Sequence, residues 1–342
     1  MSFQYIRQMP AVGEILSSIP LSGDLGKIKD GRDRDIIAVF RGESDKFIVI
    51  IGPCSADNED AVCEYVSRLA LLQEEVKEKL ILIPRIYTNK PRTTGEGYKG
   101  MAHQPKPSEA PNMVKGLKAI RRMHIRAMKE SHLTAADEML YPGNYPYLED
   151  VLSYVAVGAR SVENQLHRLT ISGLDVPAGM KNPTGGDIEV MLNSVQAAQM
   201  PHVFVYNARE VKTSGNPYTH CILRGAVNPY GTTIPNYHYE DLIRLSEAYK
   251  KRDLHFPSII VDTNHANSNK KFSEQPRIAR EVMRSRRDSR TLRNKVKGLM
   301  IESYLAEGSQ KIFENFYGRS ITDPCLGWED SARLVRDLVE LV

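Results

Sequence analysis

Four side chains, far apart in a chain of 342 residues, form a set that could hold a transition metal: Cys54 in IGPCS, His265 in DTNHANS, Glu302 in IES and Asp323 in ITDPCLGW. A thiolate, an imidazole and two carboxylates make a mixed sulfur, nitrogen and oxygen site, suited to Mn²⁺, Fe²⁺, Co²⁺ or Zn²⁺ rather than Mg²⁺. A second set is cationic. It comprises Arg85, Arg160, Lys181 and Arg224, joined by Lys90 and Arg92 of the run KPRTT, which also supplies Thr93 and Thr94. Guanidinium forks match phosphate and carboxylate oxygens two at a time, and lysine adds a mobile point charge. A phosphate carries about −1.5 to −2 near neutral pH. One phosphate would not require six cations, so the set implies more than one anionic group in the substrate.

These residues lie at the ends of short apolar or β-rich runs. From Phe47 onward the runs are FIVII (47–51), LILIPRIY (80–87), LTAADEM (133–139), YVAVGARS (154–161), VPAGMK (176–181), HCILRG (220–225), SIIVDT (258–263) and GLMIES (298–303). Each is continuous rather than alternating, as strands buried on both faces should be. Between them lie amphipathic stretches such as DAVCEYVSRLALLQEEVKEK and YEDLIRLSEAYKKRD. Strand and crossover helix repeated eight times predict an α/β fold, the (β/α)₈ or TIM barrel. A doubly wound open sheet would need a Gly-rich first turn, and only GPCS follows the first strand. In a barrel the active site lies at the carboxyl ends of the strands. Those ends present Cys54, Arg85, Glu138, Arg160, Lys181, Arg224, Asp262 with His265, and Glu302, one contribution from every strand to one rim. HVFVYNAREVKTSG (202–215) falls outside the count and predicts a β-hairpin inserted before the sixth strand. Residues 1–45, with little periodicity, are expected to be an N-terminal extension ahead of a catalytic domain spanning 46–342.

Composition narrows the class. Hydrophobic residues at 41% and charged residues at 26% are ordinary for a globular chain and exclude disorder, collagen and coiled coil as the main state. The formal charge of +4 is too small to argue for nucleic acid by itself. Four cysteines, Cys54, Cys63, Cys221 and Cys325, are too few for a disulfide scaffold and lack zinc-finger spacing. The first residues hold no secretory h-region, and no apolar run approaches the roughly 18 residues of a membrane span. A cytoplasmic protein with no membrane or nucleic-acid partner is expected. One basic strip, Arg277 to Lys297, holds nine Lys or Arg against two acids. It reads either as a solvated crossover helix or as an RNA- or partner-binding face on a catalytically silent chain.

Together IGPCS, PRIYTNKPRTTGEGYKG, GARSVENQLHR, GMKNPT, ILRG, DTNHANS, IES and ITDPCLGWED resemble, in order from about Phe47 to the C-terminus, the type I 3-deoxy-D-arabino-heptulosonate-7-phosphate (DAHP) synthases of the microbial class. The resemblance implies a metal-dependent barrel that condenses phosphoenolpyruvate with erythrose 4-phosphate, the entry step of the shikimate pathway to aromatic amino acids. It makes Cys54, His265, Glu302 and Asp323 the metal ligands. It puts Arg160 and Arg224 on the phosphoenolpyruvate phosphate, and Arg85, Lys90 and Lys181 on its carboxylate. Arg92 and Thr93, with Pro91 alongside, would grip the phosphate of the aldose. Lys90, between the two substrates, is the candidate acid for the developing alkoxide, and Glu138 the candidate to position the water that adds to C2. His167 resembles a position near the site and reads equally as an orienting residue behind it. If the last loop brings Cys325 beside Cys54, loss of the metal would leave two thiols able to form a disulfide.

There are departures. TTGEGYKG is one residue longer than the commoner loop, and Thr-Asn stands where Ser often precedes the His. The hairpin looks several residues shorter than in members whose aromatic amino-acid inhibitor binds near it, which leaves feedback control open. A homodimer or homotetramer is the family-based expectation. The rival enzyme is a phosphoenolpyruvate-condensing synthase taking another aldose, against which KPRTT argues.

Overall fold

The computed structural model of the chain describes residues 2–342. In chain order its elements are helices α1 (Val12–Ser18) and α2 (Gly23–Arg41), strand β1 (Phe47–Gly52), α3 (Glu59–Val76), β2 (Leu80–Pro84), α4 (Met113–Ser131), β3 (Ala135–Glu138), β4 (Leu152–Val157), α5 (Gln165–Ile171), β5 (Ala178–Lys181) and α6 (Ile188–Gln199). A hairpin of β6 (Val203–Tyr206) and β7 (Arg209–Lys212) follows, then β8 (Thr219–Leu223), short β9 (Ala226–Val227) and β10 (Thr233–Ile234), α7 (Tyr239–Lys250) and β11 (Ile259–Asp262). The chain closes with α8 (Gln275–Asp288), α9 (Arg290–Lys295), β12 (Val296–Glu302) and α10 (Trp328–Val339).

Eight strands form one parallel sheet in the order β2-β1-β12-β11-β8-β5-β4-β3. The ring meets itself between β2 and β3 through a single parallel bridge, Arg85 with Ala136, in which Ile86 N donates to Ala136 O at 2.9 Å. The eight apolar runs are thus the eight staves of a (β/α)₈ barrel, and every residue of β1, β2 and β4 is buried. Alternation along each strand decides which layer a side chain enters. Phe47, Val49 and Ile51 of β1 pack outward with α3, α8 and α10, whereas Ile48 and Ile50 join Ile81, Ile83, Ala156, Ile222, Ile260 and Met300 inside.

The floor of that interior is supplied by α2. Ser22 caps its start, accepting from Leu25 N at 3.4 Å, and Gly42 ends it with φ of 77°. Ile36, Val39 and Phe40, from its last turns, belong to the inner cluster. The segment without evident periodicity therefore seals the amino-terminal end of the barrel. The expected hairpin is present, and its two-residue turn, Asn207-Ala208, has φ of 51° and 58°, the positive pair that matches strand twist. The basic strip Arg277–Lys297 runs along α8 and α9 into β12, the crossover between the last two staves. Among the described residues no helix is long and apolar enough to cross a membrane.

Phe40 is 2% exposed. Phe40→Ala should cost about 3–5 kcal/mol through lost burial and a cavity under the barrel. Denaturant unfolding would read this as a lower midpoint, and an unmoved midpoint would mean that α2 does not close the floor.

Candidate active site

Strand register sets the site. Gly52 of β1 pairs with Glu302 of β12, and Ile51 with Pro84 of β2, so the residues that follow, Cys54 and Arg85, rise beside Glu302 at one level of the rim. A Cβ on Gly52 would meet Arg85 O at 2.3 Å, so only glycine lets these strand ends approach so closely.

Ligand atoms of Cys54, Glu302 and Asp323 lie within 4.8 Å of one another. Cys54 Sγ is 3.4 Å from Asp323 Oδ2. His265 stands just outside this trio, with Nε2 3.8 Å from Glu302 Oε1 and Nδ1 2.9 Å from Asp262 Oδ2 but out of hydrogen-bond alignment. Its backbone has φ of 52°, in the left-handed region that non-glycine residues enter at a cost and that recurs at functional sites. A thiol and two carboxylates at this spacing, with an imidazole beside them, fit a first-row divalent ion. Burial, then Glu302, pushes the Cys54 thiol up to about 11. An ion binding there would have to displace that proton.

Cations interleave with these acids. Arg85 and Glu302, each 1% exposed, pair at 2.9 Å, and Arg85 also donates to Pro53 O, which leaves Nε buried without a partner. Burial opposes the Arg85 charge, but Glu302, then Tyr87, whose ring lies 3.7 Å beneath the guanidinium, raise its pKa. Lys181 sits 3.2 Å from Glu138 Oε2 and 3.8 Å from Asp262 Oδ2. Burial pushes the Glu138 carboxyl up, yet Lys181, Lys90 and Arg85 together hold it below its ordinary value. Gly158 keeps room for that carboxylate, since a Cβ there would lie 2.6 Å from Glu138 Oε1. Lys90 donates to Cys54 Sγ and lies 3.5 Å from Asp323 Oδ2. Burial works against its charge, but Cys54, Asp323 and Glu302 outweigh it and raise the ammonium's pKa.

The remaining residues lie around this centre. Arg224 has a buried Nη1 without a partner, and its pKa is lowered by burial and, in part, by Arg160. Arg160 is exposed on the turn after β4, where it can reach a ligand entering from solvent. Arg92 is half-buried and donates to Tyr98 O at 2.8 Å. Pro91 beside it is half-buried and Thr93 exposed. His167 is buried behind the rim, its Nε2 3.0 Å from Leu140 O. The four cysteines are free and buried, and burial, then Glu302 and Cys54, raises the thiol of Cys325.

Four positioning residues went unassigned from sequence. Asn264 donates to Glu302 Oε2, and Asn182 accepts from Arg224 N at 2.9 Å. Gln275 brackets the Glu302 backbone, accepting from its N and donating to its O, both at 2.9 Å. Asp137, 4% exposed, accepts from Thr88 N at 2.8 Å, from Glu138 N at 2.7 Å and from Thr88 Oγ1. Asn264 and Asn182 flank His265 and Lys181 in their motifs, which is a signal. Gln275 has none, because only the fold brings it under β12.

A parallel barrel whose mouth gathers a buried thiol and two carboxylates among cations has its reactive side chains where barrel enzymes carry their active sites. Comparison with known proteins makes this specific: the sequence profile of the DAHP synthetase I family matches residues 24–336, and the chain belongs to that family. It is 35% identical over 336 residues, 96% of this chain and 93% of the relative, to the Phe-sensitive phospho-2-dehydro-3-deoxyheptonate aldolase of Escherichia coli K12. It is 37% identical over 317 residues, 90% and 86% of the two chains, to the Tyr-sensitive enzyme of Salmonella typhimurium. The structure of the Francisella tularensis SCHU S4 aldolase superposes with a TM-score of 0.92 at 30% identity, covering 100% of this chain and 98% of that one. The protein is a transferase of the DAHP synthase kind.

Asp137 straps the loop carrying Lys90 and Arg92 to the strand carrying Glu138. Asp137→Asn should lower steady-state turnover by tenfold or more, because displacements near 1 Å at a site can cost about 10²-fold. Thr88→Val, which removes one of the three bonds, should cost less. Full turnover in Asp137→Asn would show that the loop holds its place unaided.

Proposed function

We propose that the chain condenses phosphoenolpyruvate with erythrose 4-phosphate and water, giving DAHP and phosphate, with a divalent ion held by Cys54, Glu302, Asp323 and His265. The observation that carries this reading is the convergence of the Cys54, Glu302 and Asp323 ligand atoms within 4.8 Å, ringed by Arg85, Lys90 and Lys181. When bound, such an ion supplies Lewis-acid polarisation of a substrate oxygen. The protein's own residues do the rest. Arg160 and Arg224 take the phosphate of phosphoenolpyruvate, and the unpartnered Nη1 of Arg224 is a donor waiting for an acceptor. Lys181 and the open Nε of Arg85 face its carboxylate, with Lys90 closing from the other side. Arg92 and Thr93, with Pro91 as the wall, hold the phosphate of the aldose at the outer rim.

Lys90 keeps its proton against burial because acids surround it, so it can deliver that proton to the alkoxide formed when C3 of the enol attacks the aldehyde carbon. Glu138, ionised beside Lys181, accepts a hydrogen bond from the water that adds to C2. The resulting tetrahedral carbon then releases phosphate with cleavage of its C–O bond, and of the two protons the water gives up, one leaves on the phosphate and the other restores Lys90. A synthase for a different aldose would share the first half of this site, but the Arg92 to Thr93 grip favours the shorter sugar phosphate.

A second feature supports regulation by an aromatic amino acid, the property printed in the relatives' names. A cavity of about 750 Å³ lies beneath the hairpin, with the rings of Tyr145, Phe204 and Tyr206 on its walls and Glu149 and Lys212 at its edge. The rings suit an aromatic side chain, and the opposed charges suit the ammonium and carboxylate of a free amino acid.

Phosphate release from both substrates should require added Mn²⁺ after EDTA treatment, and Cys54→Ala should lose that activity by more than about 10²-fold. Metal-independent turnover, or full turnover in Cys54→Ala, would sink the assignment. Isothermal titration of Phe, Tyr and Trp should give a binding heat with one of them that Phe204→Ala removes. Silence with all three would leave the cavity without this role.

A further inference from the structure

At the end of the barrel opposite the catalytic mouth, a groove of about 1220 Å³ opens beside the starts of β1, β2 and β12. Eight basic residues line it against three acids, Asp45, Glu78 and Glu340. Six of the eight, Lys46, Lys79, Arg286, Arg293, Lys295 and Lys297, make no ion pair among the described residues; Arg41 and Arg287 pair with Glu43 and Asp288. Arg286 is 9% exposed, and its Nε donates to Val296 O at 3.2 Å. These cations crowd one another. Burial and then Arg286 lower the pKa of Lys297, while burial and then Arg293 lower that of Arg286. Asp45 offsets only part of this repulsion, and a buried guanidinium such as Arg286 crowded by other cations is costly unless an anion completes the cluster.

The distribution of charge along α8 says what kind of anion. Outside the groove the basic strip is partly neutralised: Arg277 pairs with Glu274 at 2.7 Å and Glu281 at 2.8 Å, and Arg280 with Asp337 at 2.6 Å, while Arg284 and Arg290 are exposed to solvent. Six unpaired cations are gathered in one recess, whereas a nucleic acid needs a track of cations along its backbone. The rim also offers a flat apolar surface. Phe256, 37% exposed, stacks on Tyr218 at 5.7 Å.

We propose that this groove is a second anion site, distinct from the catalytic mouth, which takes a small molecule bearing a chain of phosphate groups. That chain could be free or attached to a nucleoside whose base lies on Phe256. The site does not depend on the reaction assigned above, because none of its residues lies at the carboxyl ends of the strands.

Titration calorimetry with inorganic tripolyphosphate and with ATP tests it, using the full chain at low salt. Arg287 and Arg293 both line the groove and are exposed. Binding should weaken at least tenfold in R287E/R293E and persist in the mouth variant R92A/R160A. K297Q, a milder change, should weaken it in the same direction. Catalytic turnover without ligand should be unchanged in R287E/R293E. Tighter binding of ATP than of tripolyphosphate would identify the nucleotide as the source, and equal binding the free chain. The proposal fails if neither ligand binds, if R287E/R293E binds as tightly as the parent, if binding is lost only in R92A/R160A, or if a single-stranded RNA oligonucleotide displaces tripolyphosphate at equal phosphate concentration.

Discussion

Everything at the mouth of this barrel depends on charges taken out of water finding opposite charges at once. Arg85 and Glu302 are 1% exposed, Lys181 is 3% and Asp262 is 0%. Removing either member of such a pair alone leaves an uncompensated buried charge, a loss of about 3–5 kcal/mol. The rim meets this demand by seating each buried acid within reach of a cation. Glu302 faces Arg85, Lys181 lies between Glu138 and Asp262, and Lys90 lies against Cys54 and Asp323. No single strand could do this. Parallel register brings neighbouring strand ends level, so this pairing is a property of the closed sheet.

The same demand orders the residues around the rim. Asn264, Gln275 and Asp137 are polar groups whose acceptors and donors are engaged inside the protein. They stop Glu302 and the Thr88–Lys90 segment from relaxing toward other partners. Asn264 keeps Oε2 of Glu302 turned away from Arg85, so the carboxylate does not collapse fully onto the neighbouring arginine.

The staves of the barrel and most of the site were legible because both depend on local composition. Doubly buried strands read as unbroken apolar runs, and the polar residue after each run marks the rim. Less was legible where contacts are distant. The role of α2 was hidden because its first turns, GDLGKIKDG, are polar and only Leu25, Ile36, Val39 and Phe40 are buried, so no full-length stripe forms; Ser22 and Gly42 were its only clear signals. Arg85 looked like a free anion-binding fork, but both of its terminal nitrogens are already engaged, with Pro53 O and Glu302. His265 reads as one ligand of four, and its place beside the trio and Asp262 rests on a backbone conformation that a residue name does not reveal.

The bridge between Arg85 and Ala136 gives the ring unequal strength. Seven of its contacts are ladders several residues long, while the eighth is one bridge, extended at its upper end by the grip of Asp137 on Thr88. The seam runs directly under the site, with Arg85 and Lys90 on one side and Glu138 and Asp137 on the other. Parting there would pull the two halves of the catalytic centre away from each other before the remaining ladders loosened. Amide hydrogen exchange should therefore be fastest along this line within the sheet, and heat should silence the enzyme before it melts the barrel.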